Sequence, residues 1–356
     1  MIDLARAGVV ERPDGDGRAG GGSCDDRVRI TLRLDGERLA AVRFGADACA
    51  SATAAAAWLA TATEGRGLLD AARLGLADVL AADPALVPTC ALTAVDALHA
   101  ALGDAVVRGA RLAPSPGRVG VAMSGGVDSA AVLLGAVDEG REAVGLTLRL
   151  WIDPAAPAPD RACCAPASVR AARDLCHSHG MPHLALDLRE AFREAVVAPF
   201  VAGYAAGETP NPCATCNGAF RFDALDDAAM RLGCAEWRTG HYARIVERDG
   251  ALLVARGADP AKDQSAMLAL VDPAILRRVR LPLGGSLKRD VVVHAPADRV
   301  GASFRVRAEP VPAALELHGD GTALLVLDRD AFQVAPGQVA ALYDGDCIVA
   351  AGVVDG

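Results

Sequence analysis

Residues 119–137 fix a local architecture before anything else in the chain is read. An apolar run from Val119 to Met123 enters the turn Ser124-Gly125-Gly126-Val127-Asp128-Ser129, and a helix-forming run from Ala130 to Val137 follows. A strand that enters a helix through glycines offers a phosphate-sized cradle. Glycine lets the backbone approach closely, and N–H groups at a turn and helix N-terminus favour an anion. Asp128 and Ser129 are expected at the helix N-cap, with Asp128 also placed to reach Mg2+ or a substrate amine. No Lys follows the glycines, so this is not the Gly-x-x-x-x-Gly-Lys-Ser/Thr loop. The plain alternative is an ordinary glycine turn.

The rest of the chain supplies a sheet for this unit. Between residues 118 and 290, further strand-like runs at Ala143 to Leu150, His183 to Leu188 and Glu236 to Gly240 alternate with helical stretches. That alternation predicts an α/β fold with a doubly wound parallel sheet. Residues 1–103 begin with a Gly/Asp-rich lead, Asp14 to Ser23. Strand-like runs Val28 to Leu34 and Leu39 to Phe44 then flank Asp35-Gly36, and helices follow, among them a small-residue helix from Ala48 to Ala62. This predicts a separate N-terminal α+β domain. Residues 104–117, with Pro114 and Pro116, read as a linker. In residues 302–356, the runs Phe304 to Ala308, Thr322 to Leu327, Gln338 to Tyr343 and Cys347 to Val354 predict a small C-terminal β-barrel.

A chain of 356 residues suffices for two or three such domains. Net charge is −9, and residues 1–113 carry 12 basic and 15 acidic side chains, so no part is a basic domain. That argues against a general polyanion binder but leaves room for tRNA, which needs only a local basic face. No apolar run reaches the ~20 residues of a membrane span, and no secretory signal is visible. A cytoplasmic protein without membrane association is expected. Only two of 36 basic residues are Lys, at 262 and 288, so each is a candidate for chemistry that needs a compact cation. Ten cysteines in such a compartment suggest metal, cluster or sulfur chemistry before disulfides.

Six of those cysteines fall in the central block, four of them in motif-like settings. Thr209-Pro210-Asn211-Pro212-Cys213-Ala214-Thr215-Cys216-Asn217 sets two thiols at Cys-x-x-Cys spacing behind two prolines. Such a pair suits a metal, a cluster or redox exchange. Cys163-Cys164 lie upstream, and Arg238-Thr239-Gly240-His241-Tyr242-Ala243-Arg244 and Lys262-Asp263-Gln264-Ser265 downstream. The glycine turn resembles the PP-loop of ATP pyrophosphatases (adenine nucleotide alpha hydrolase-like). Together with Leu283-Gly284-Gly285, Phe332 to Gln338 and Tyr343 to Asp346, the whole set resembles the tRNA 2-thiouridylase (MnmA) family.

The resemblance implies ATP-dependent sulfur transfer to carbon-2 of the tRNA wobble uridine through an adenylated intermediate. It implies ATP contacts at Ser124 to Ser129, Leu148 and Gly240. It puts base binding at Asn211, Pro212 and Cys213, tRNA contact at Lys262, Asp263 and Gln264, and the first catalytic cysteine at Cys216. Two departures matter. Cys213 stands where the best-known branch has Asp. The segment with a second catalytic cysteine is missing, because only Val291 to Ala302 separate Lys288 from the barrel. The family's central tRNA-binding domain is thus largely absent. Cys163 or Cys164 could complete a three-thiolate 4Fe–4S site with Cys213 and Cys216. Alternatively Cys216 carries a persulfide resolved by Cys213, or the cysteines hold structural zinc. Cys176, Cys234 and Cys347 read as buried small hydrophobes.

In the N-terminal block, Cys24-Asp25-Asp26, Cys49 and Cys90 make a plausible metal tetrad from Cys24, Asp26, Cys49 and Cys90. Their order resembles the IscU/NifU iron–sulfur scaffold family, with Asp25 at a usual Gly and Thr89 at a frequent His ligand. The resemblance implies zinc or a nascent cluster, with a cysteine desulfurase as sulfur donor. A degenerate domain with inert cysteines is the alternative. Fusion of donor to acceptor would raise effective concentration to roughly mM. Two other functions stay open: a PP-loop enzyme that adenylates another RNA base or a small molecule, and a non-catalytic iron–sulfur carrier. The sequence leaves the oligomeric state open.

Overall fold

The computed structural model describes residues 4–21, 25–151, 165–286 and the strands 313–317, 323–327, 339–344 and 347–353. Strands β1 (Gly15–Gly21), β2 (Asp26–Asp35) and β3 (Arg38–Asp47) form an antiparallel sheet in that order. Strands β2 and β3 are the two runs expected from alternation, joined where Gly36 adopts φ 58°. Strand β1 was not expected, because Gly-Asp-Gly-Arg-Ala-Gly-Gly has little strand propensity. It forms because the glycines lie on a helix. A Cβ on Gly17 would sit 2.1 Å from the backbone nitrogen of Ala101, and one on Gly15 would sit 2.2 Å from the Ala101 carbonyl oxygen.

The helices of this unit are α1 (Ala50–Thr63), α2 (Leu68–Ala71), α3 (Leu76–Ala82) and α4 (Pro88–Arg108). Among the described residues α4 alone is long and apolar enough to cross a membrane, but 72% of its apolar window is buried in the protein. It is a core helix, started by Pro88 and stopped at Gly109 with φ 121°.

The central sheet contains β4 (Ser115–Ala122), β5 (Glu142–Arg149), β6 (His183–Asp187), β7 (Cys234–Arg238) and β10 (Val279–Arg280). All pairings are parallel, in the order β10-β7-β4-β5-β6. The chain winds outward from β4 to β6, then returns to the other side of β4, so the switch point lies between β4 and β7. Helices α5 (Val127–Asp138) and α6 (Pro166–Ser178) pack on one face over Val119, Val121 and Leu133. The helical run α7 (Arg189–Phe192), α8 (Ala198–Ala205), α9 (Pro212–Ala214) and α10 (Phe222–Arg231) leads to the other face, where Phe222 meets Trp237 at 5.0 Å between ring centroids.

The core of that second face continues without a break into the N-terminal unit. Helix α4 lies along the edge strand β6, so close that a Cβ on Gly103 would fall 2.0 Å from the Ala185 carbonyl oxygen. It continues to Arg108, through five residues of the expected linker. The connection beyond it is tied down, with Leu112 N–H donating to the Arg231 carbonyl (2.7 Å) and Ser115 N–H to the Gly233 carbonyl (2.8 Å).

Two further corrections concern local structure. The N-cap of α5 is Gly126, so Asp128 and Ser129 stand in the first turn. Ser129 turns its hydroxyl back to the Gly126 carbonyl (2.8 Å) instead of capping. A hairpin of β8 (Ala243–Arg248) and β9 (Ala251–Arg256) was also not expected. Its turn, Asp249-Gly250, has positive φ at both residues (53° and 77°), the requirement of a type I′ hairpin. Strand β9 extends the hairpin to β14 (Cys347–Val353), which pairs with β13 (Val339–Asp344), while β11 (Ala313–Leu317) pairs with β12 (Ala323–Leu327). The expected strand Phe304 to Ala308 lies outside the described residues.

Candidate functional site

The glycine turn leaves β4 at the switch point, where ligands bind in open parallel sheets. Gly125 has φ 77°, and a Cβ there would lie 2.6 Å from the Ser168 carbonyl oxygen at the start of α6. The turn holds itself. Ser129 Oγ accepts from Ser124 N–H (3.2 Å), and Ser124 Oγ accepts from Gly126 N–H (3.3 Å). Gly240, just past β7, closes the crevice, and a Cβ there would be 3.0 Å from the Asp128 carbonyl carbon. Leu148 sits on β5, 8% exposed.

Asp128 has a partner that sequence reading missed. Tyr242 donates its hydroxyl to Asp128 Oδ1 at 2.9 Å. Burial, and then the Asp128 carboxylate, push the Tyr242 pKa up, so the phenol remains a donor at neutral pH. Tyr242 is itself held by Gln264, whose Oε1 accepts from Tyr242 N–H and whose N–H donates to the Tyr242 carbonyl, both at 2.9 Å. Asp263 accepts from Gly257 N–H (2.9 Å) and from the Ser265 hydroxyl (2.9 Å). Both residues therefore build the loop, and Lys262 beside them is exposed. The signal for Tyr242 was its place two residues after Gly240.

The cysteine loop is wired to the same strand end. Asn211 Oδ1 accepts from Cys213 N–H (3.1 Å) and Ala214 N–H (3.2 Å), which starts α9 at Pro212. Cys216 follows on a π-helical turn, Thr215–Arg221. Such turns are rare and frequent at functional sites. Asn217 Nδ2 donates to the Cys213 carbonyl (2.9 Å), and Asn217 Oδ1 lies 3.4 Å from His241 Nε2. His241 Nδ1 in turn lies 2.9 Å from Thr239 Oγ1 at the end of β7. A relay from Thr239 through His241 and Asn217 thus anchors the Cys213–Cys216 turn to the end of β7, beside the crevice at the glycine turn. Cys213 and Cys216 are half-buried and form no disulfide. Burial, with Arg221 nearby, lowers the His241 pKa to about 4, so it bonds as a neutral imidazole.

A second constellation lies in the N-terminal unit. Asp26, Cys49 and Cys90 bring one ligand atom each within 4.8 Å of one another, and no other such group of three occurs among the described residues. Cys49 is the N-cap of α1, Cys90 stands in the first turn of α4, and Asp26 opens β2. Both helix ends favour negative charge. Asp26 Oδ1 accepts from Cys49 N–H (2.6 Å) and Oδ2 from the Cys49 thiol (3.3 Å). The backbone bond from Cys49 holds its carboxyl below the usual carboxylate range. Two thiols and a carboxylate converging in this way are a donor set for zinc or iron. Cys24, Cys163 and Cys164 lie outside the described residues. Cys176 and Cys234 are buried, and burial pushes both thiols up to about 12, which leaves them inert.

Buried histidines set an acid limit on stability. His183 is held down to about 3 and His241 to about 4, and burial also lowers His99 well below its ordinary value. As pH falls below about 6.5, the unfolded chain takes up protons that the folded chain refuses. Stability should therefore fall between pH 7 and 5, by roughly 1.4 kcal/mol per pH unit for each fully titrating histidine. Urea midpoints across that range test this, and a flat profile would refute it.

Against known proteins, residues 117–306 match the family model "tRNA methyl transferase HUP domain", residues 292–354 match "Aminomethyltransferase beta-barrel domain", and residues 4–109 match "NifU-like N terminal domain". The "Bifunctional protein NifU/MnmA" of Rubrobacter xylanophilus is 42% identical over 307 residues, 82% of this chain and 62% of that protein. The "tRNA-specific 2-thiouridylase MnmA" of Acidithiobacillus ferrooxidans is 45% identical over 171 residues, 48% of this chain and 47% of its own length. The protein of the same name from Sorangium cellulosum is 40% identical over 227 residues, 64% of this chain and 58% of its own length. The chain thus spans between about half and three-fifths of these relatives.

Proposed function

We propose that this chain, which belongs to the MnmA-like tRNA 2-thiouridylase family and carries a NifU/IscU-like N-terminal domain, is an ATP-dependent sulfurtransferase acting on carbon-2 of the wobble uridine of tRNA. The observation that carries this reading is the relay joining the Cys213–Cys216 turn to Thr239 at the end of β7, next to Gly240, which packs against Asp128 after the glycine turn. It puts a thiol pair beside an anion cradle, the two parts that adenylation followed by sulfur transfer requires.

In this reading ATP binds along Ser124 to Ser129, Leu148 and Gly240, with Mg2+ near Asp128. Uridine O2 attacks the α-phosphorus and pyrophosphate leaves, which turns O2 into a leaving group. The terminal sulfur of a Cys216 persulfide attacks carbon-2, and AMP departs. The Cys213 thiolate then attacks the Cys216 sulfur, a Cys213–Cys216 disulfide forms, and sulfur stays on the base. An external dithiol restores the pair. Asn211 and Pro212 border the uridine, and Lys262 with its loop contacts tRNA. The C-terminal strands complete a small β-barrel.

The N-terminal pocket is read as the entry point for sulfur from a cysteine desulfurase. Zinc or iron bound by Asp26, Cys49 and Cys90, with Cys24 two residues before Asp26, would hold the pocket closed or carry sulfide. Cys163 and Cys164, on which a 4Fe–4S cluster at Cys213 and Cys216 would draw, lie outside the described residues, and the Cys213–Cys216 pair alone suffices for the persulfide route. Cys163 and Cys164 directly precede the N-cap of α6 at Ala165 and remain candidate thiols for passing sulfur. The protein is read as cytoplasmic.

The test is direct. Purified protein with tRNA, ATP, a dithiol and a small-molecule persulfide, whose outer sulfur the Cys216 thiolate takes as the carrier leaves as a thiol, should yield 2-thiouridine with one AMP and one pyrophosphate per thiolated base, by mass spectrometry. AMP formed on another base or on a small molecule would move the substrate. No exchange of pyrophosphate into ATP at all would leave an iron–sulfur carrier. Metal content gives an independent prediction. Anaerobic wild type should hold about one zinc or an iron–sulfur centre per chain, and Cys49→Ala and Cys90→Ala should each lose at least about 10-fold in metal affinity. Retention of metal by the double variant would remove this pocket as the site.

A further inference from the structure

The units that carry the two sites share one continuous core, and the way they are joined bears on how sulfur travels. Asp96 on α4 accepts from Arg170 (Nη2 to Oδ2, 2.7 Å) and from Arg173 (Nη1 to Oδ1, 2.8 Å), both on α6. The Arg173 side chain is only 4% exposed. Further along both helices, the His99 and His177 rings stand 5.4 Å apart. Contacts that advance together mean that α4 and α6 run in the same sense, so their N-terminal ends share one side of the molecule. Cys90 lies in the first turn of α4 and Ser168 in the first turn of α6, with the Ser168 carbonyl against Gly125. Cys90 precedes Asp96 by about 9 Å of helix and Ser168 precedes Arg170 by about 3 Å. The donor pocket and the glycine turn therefore lie toward the same side of the molecule.

We propose that sulfur passes from the N-terminal pocket to the PP-loop site within a single chain, and that Asp96, clamping α4 to α6, is the positioning residue for that passage. The proposal rests on the sulfurtransferase reading above. Each hop is a thiol exchange: an acceptor thiolate attacks the outer sulfur of a donor persulfide, the S–S bond breaks, and the donor leaves as thiolate. No oxidant or reductant is consumed. The interface makes cis transfer the expected route, because Gly103 of α4, pressed against Ala185 of β6, and the bonded segment 109–115 hold the N-terminal unit to the sheet instead of leaving it a tethered arm.

The experiment compares two sulfur sources on the full chain with tRNA, ATP and a dithiol: a small-molecule persulfide, which hands its outer sulfur directly to the Cys216 thiolate and leaves as a thiol, and cysteine with a cysteine desulfurase. C49A/C90A and C216A are first assayed alone, then mixed in equal amounts. Cis transfer predicts that the desulfurase-driven rate of the mixture stays below about a tenth of wild type. Recovery in the mixture, or full desulfurase-driven activity of C49A/C90A alone, overturns the proposal. Asp96→Ala should lose about 10-fold or more with desulfurase but stay within about twofold with the small-molecule persulfide. Arg170→Ala, which spares the buried Asp96–Arg173 pair, should show the same split more weakly. Equal loss with both sources would make Asp96 merely structural and overturn its role. Absence of wild-type thiolation with the small-molecule persulfide would instead strike the underlying function, so the two failures are distinguishable.

Discussion

Cys216→Ala should lose thiolation of tRNA by a factor on the order of 10³ or more, yet still exchange pyrophosphate into ATP within a few-fold of wild type. The split follows from geometry. The glycine turn, Asp128 with Tyr242, and Gly240 make the nucleotide crevice without help from Cys216. Cys216 stands across the crevice on its π-helical turn, held there by the Thr239–His241–Asn217 relay. Removing its sulfur removes the attacking group but none of the cradle. Cys213→Ala should behave differently, releasing one AMP and then stalling within its first turnover with RNA disulfide-linked to Cys216. Gel shift under non-reducing conditions would reveal that adduct. If Cys216→Ala retains multiple-turnover thiolation with sulfide, the persulfide route is wrong and sulfide attacks the adenylated base directly.

Much of this was legible in the sequence, for a physical reason. The strands β4 to β7 are short apolar runs bounded by turn residues, and burial on both faces of a parallel sheet writes itself into composition. Turn chemistry was legible too, since Gly125 and Gly36 occupy conformations that favour glycine. What was not legible depends on partners distant in sequence. Strand β1 reads as a loop until α4 is known to press on Gly15 and Gly17. The β8–β9 hairpin carried a readable Asp-Gly signal, but its apolar runs were absorbed into the alternation of the central block. Nor does any local pattern show that Tyr242 reaches Asp128 across 114 residues, or that Asp96 pairs with Arg170 and Arg173. The metal pocket lay between. Its residues were picked from order along the chain, while their convergence depends on two helix starts and a strand start meeting.

The fusion also changes what the N-terminal unit contributes. A flexible tether would act through concentration alone. Here the unit covers the β6 edge of the nucleotide sheet with α4 and shares its core. An uncovered edge strand invites pairing with other chains, so deleting residues 4–109 would expose β6 and the apolar face beside it. The N-terminal unit is therefore part of the folding unit of the central sheet.

Gly125→Ala tests whether the glycine turn is the nucleotide site. Two costs fall on the substitution. The residue has φ 77°, which costs an L-residue about 1–2 kcal/mol. Its new methyl would also sit 2.6 Å from the Ser168 carbonyl oxygen, a backbone atom that cannot rotate away. The turn must shift relative to α6, and its N–H groups no longer converge on one anion. Pyrophosphate exchange should fall by about 10²-fold or more, since a displacement near 1 Å suffices for that loss. The turn is at the surface, so the melting temperature should drop by no more than about 5 °C. Gly140→Ala is the matched control. It carries φ 68° with nothing within 4 Å of a Cβ, so it bears the conformational cost without the collision. It should lose a similar amount of stability and keep its exchange activity. Equal activity in the two variants would detach the turn from ATP, and the whole sulfur-transfer scheme built on an adenylated base would go with it.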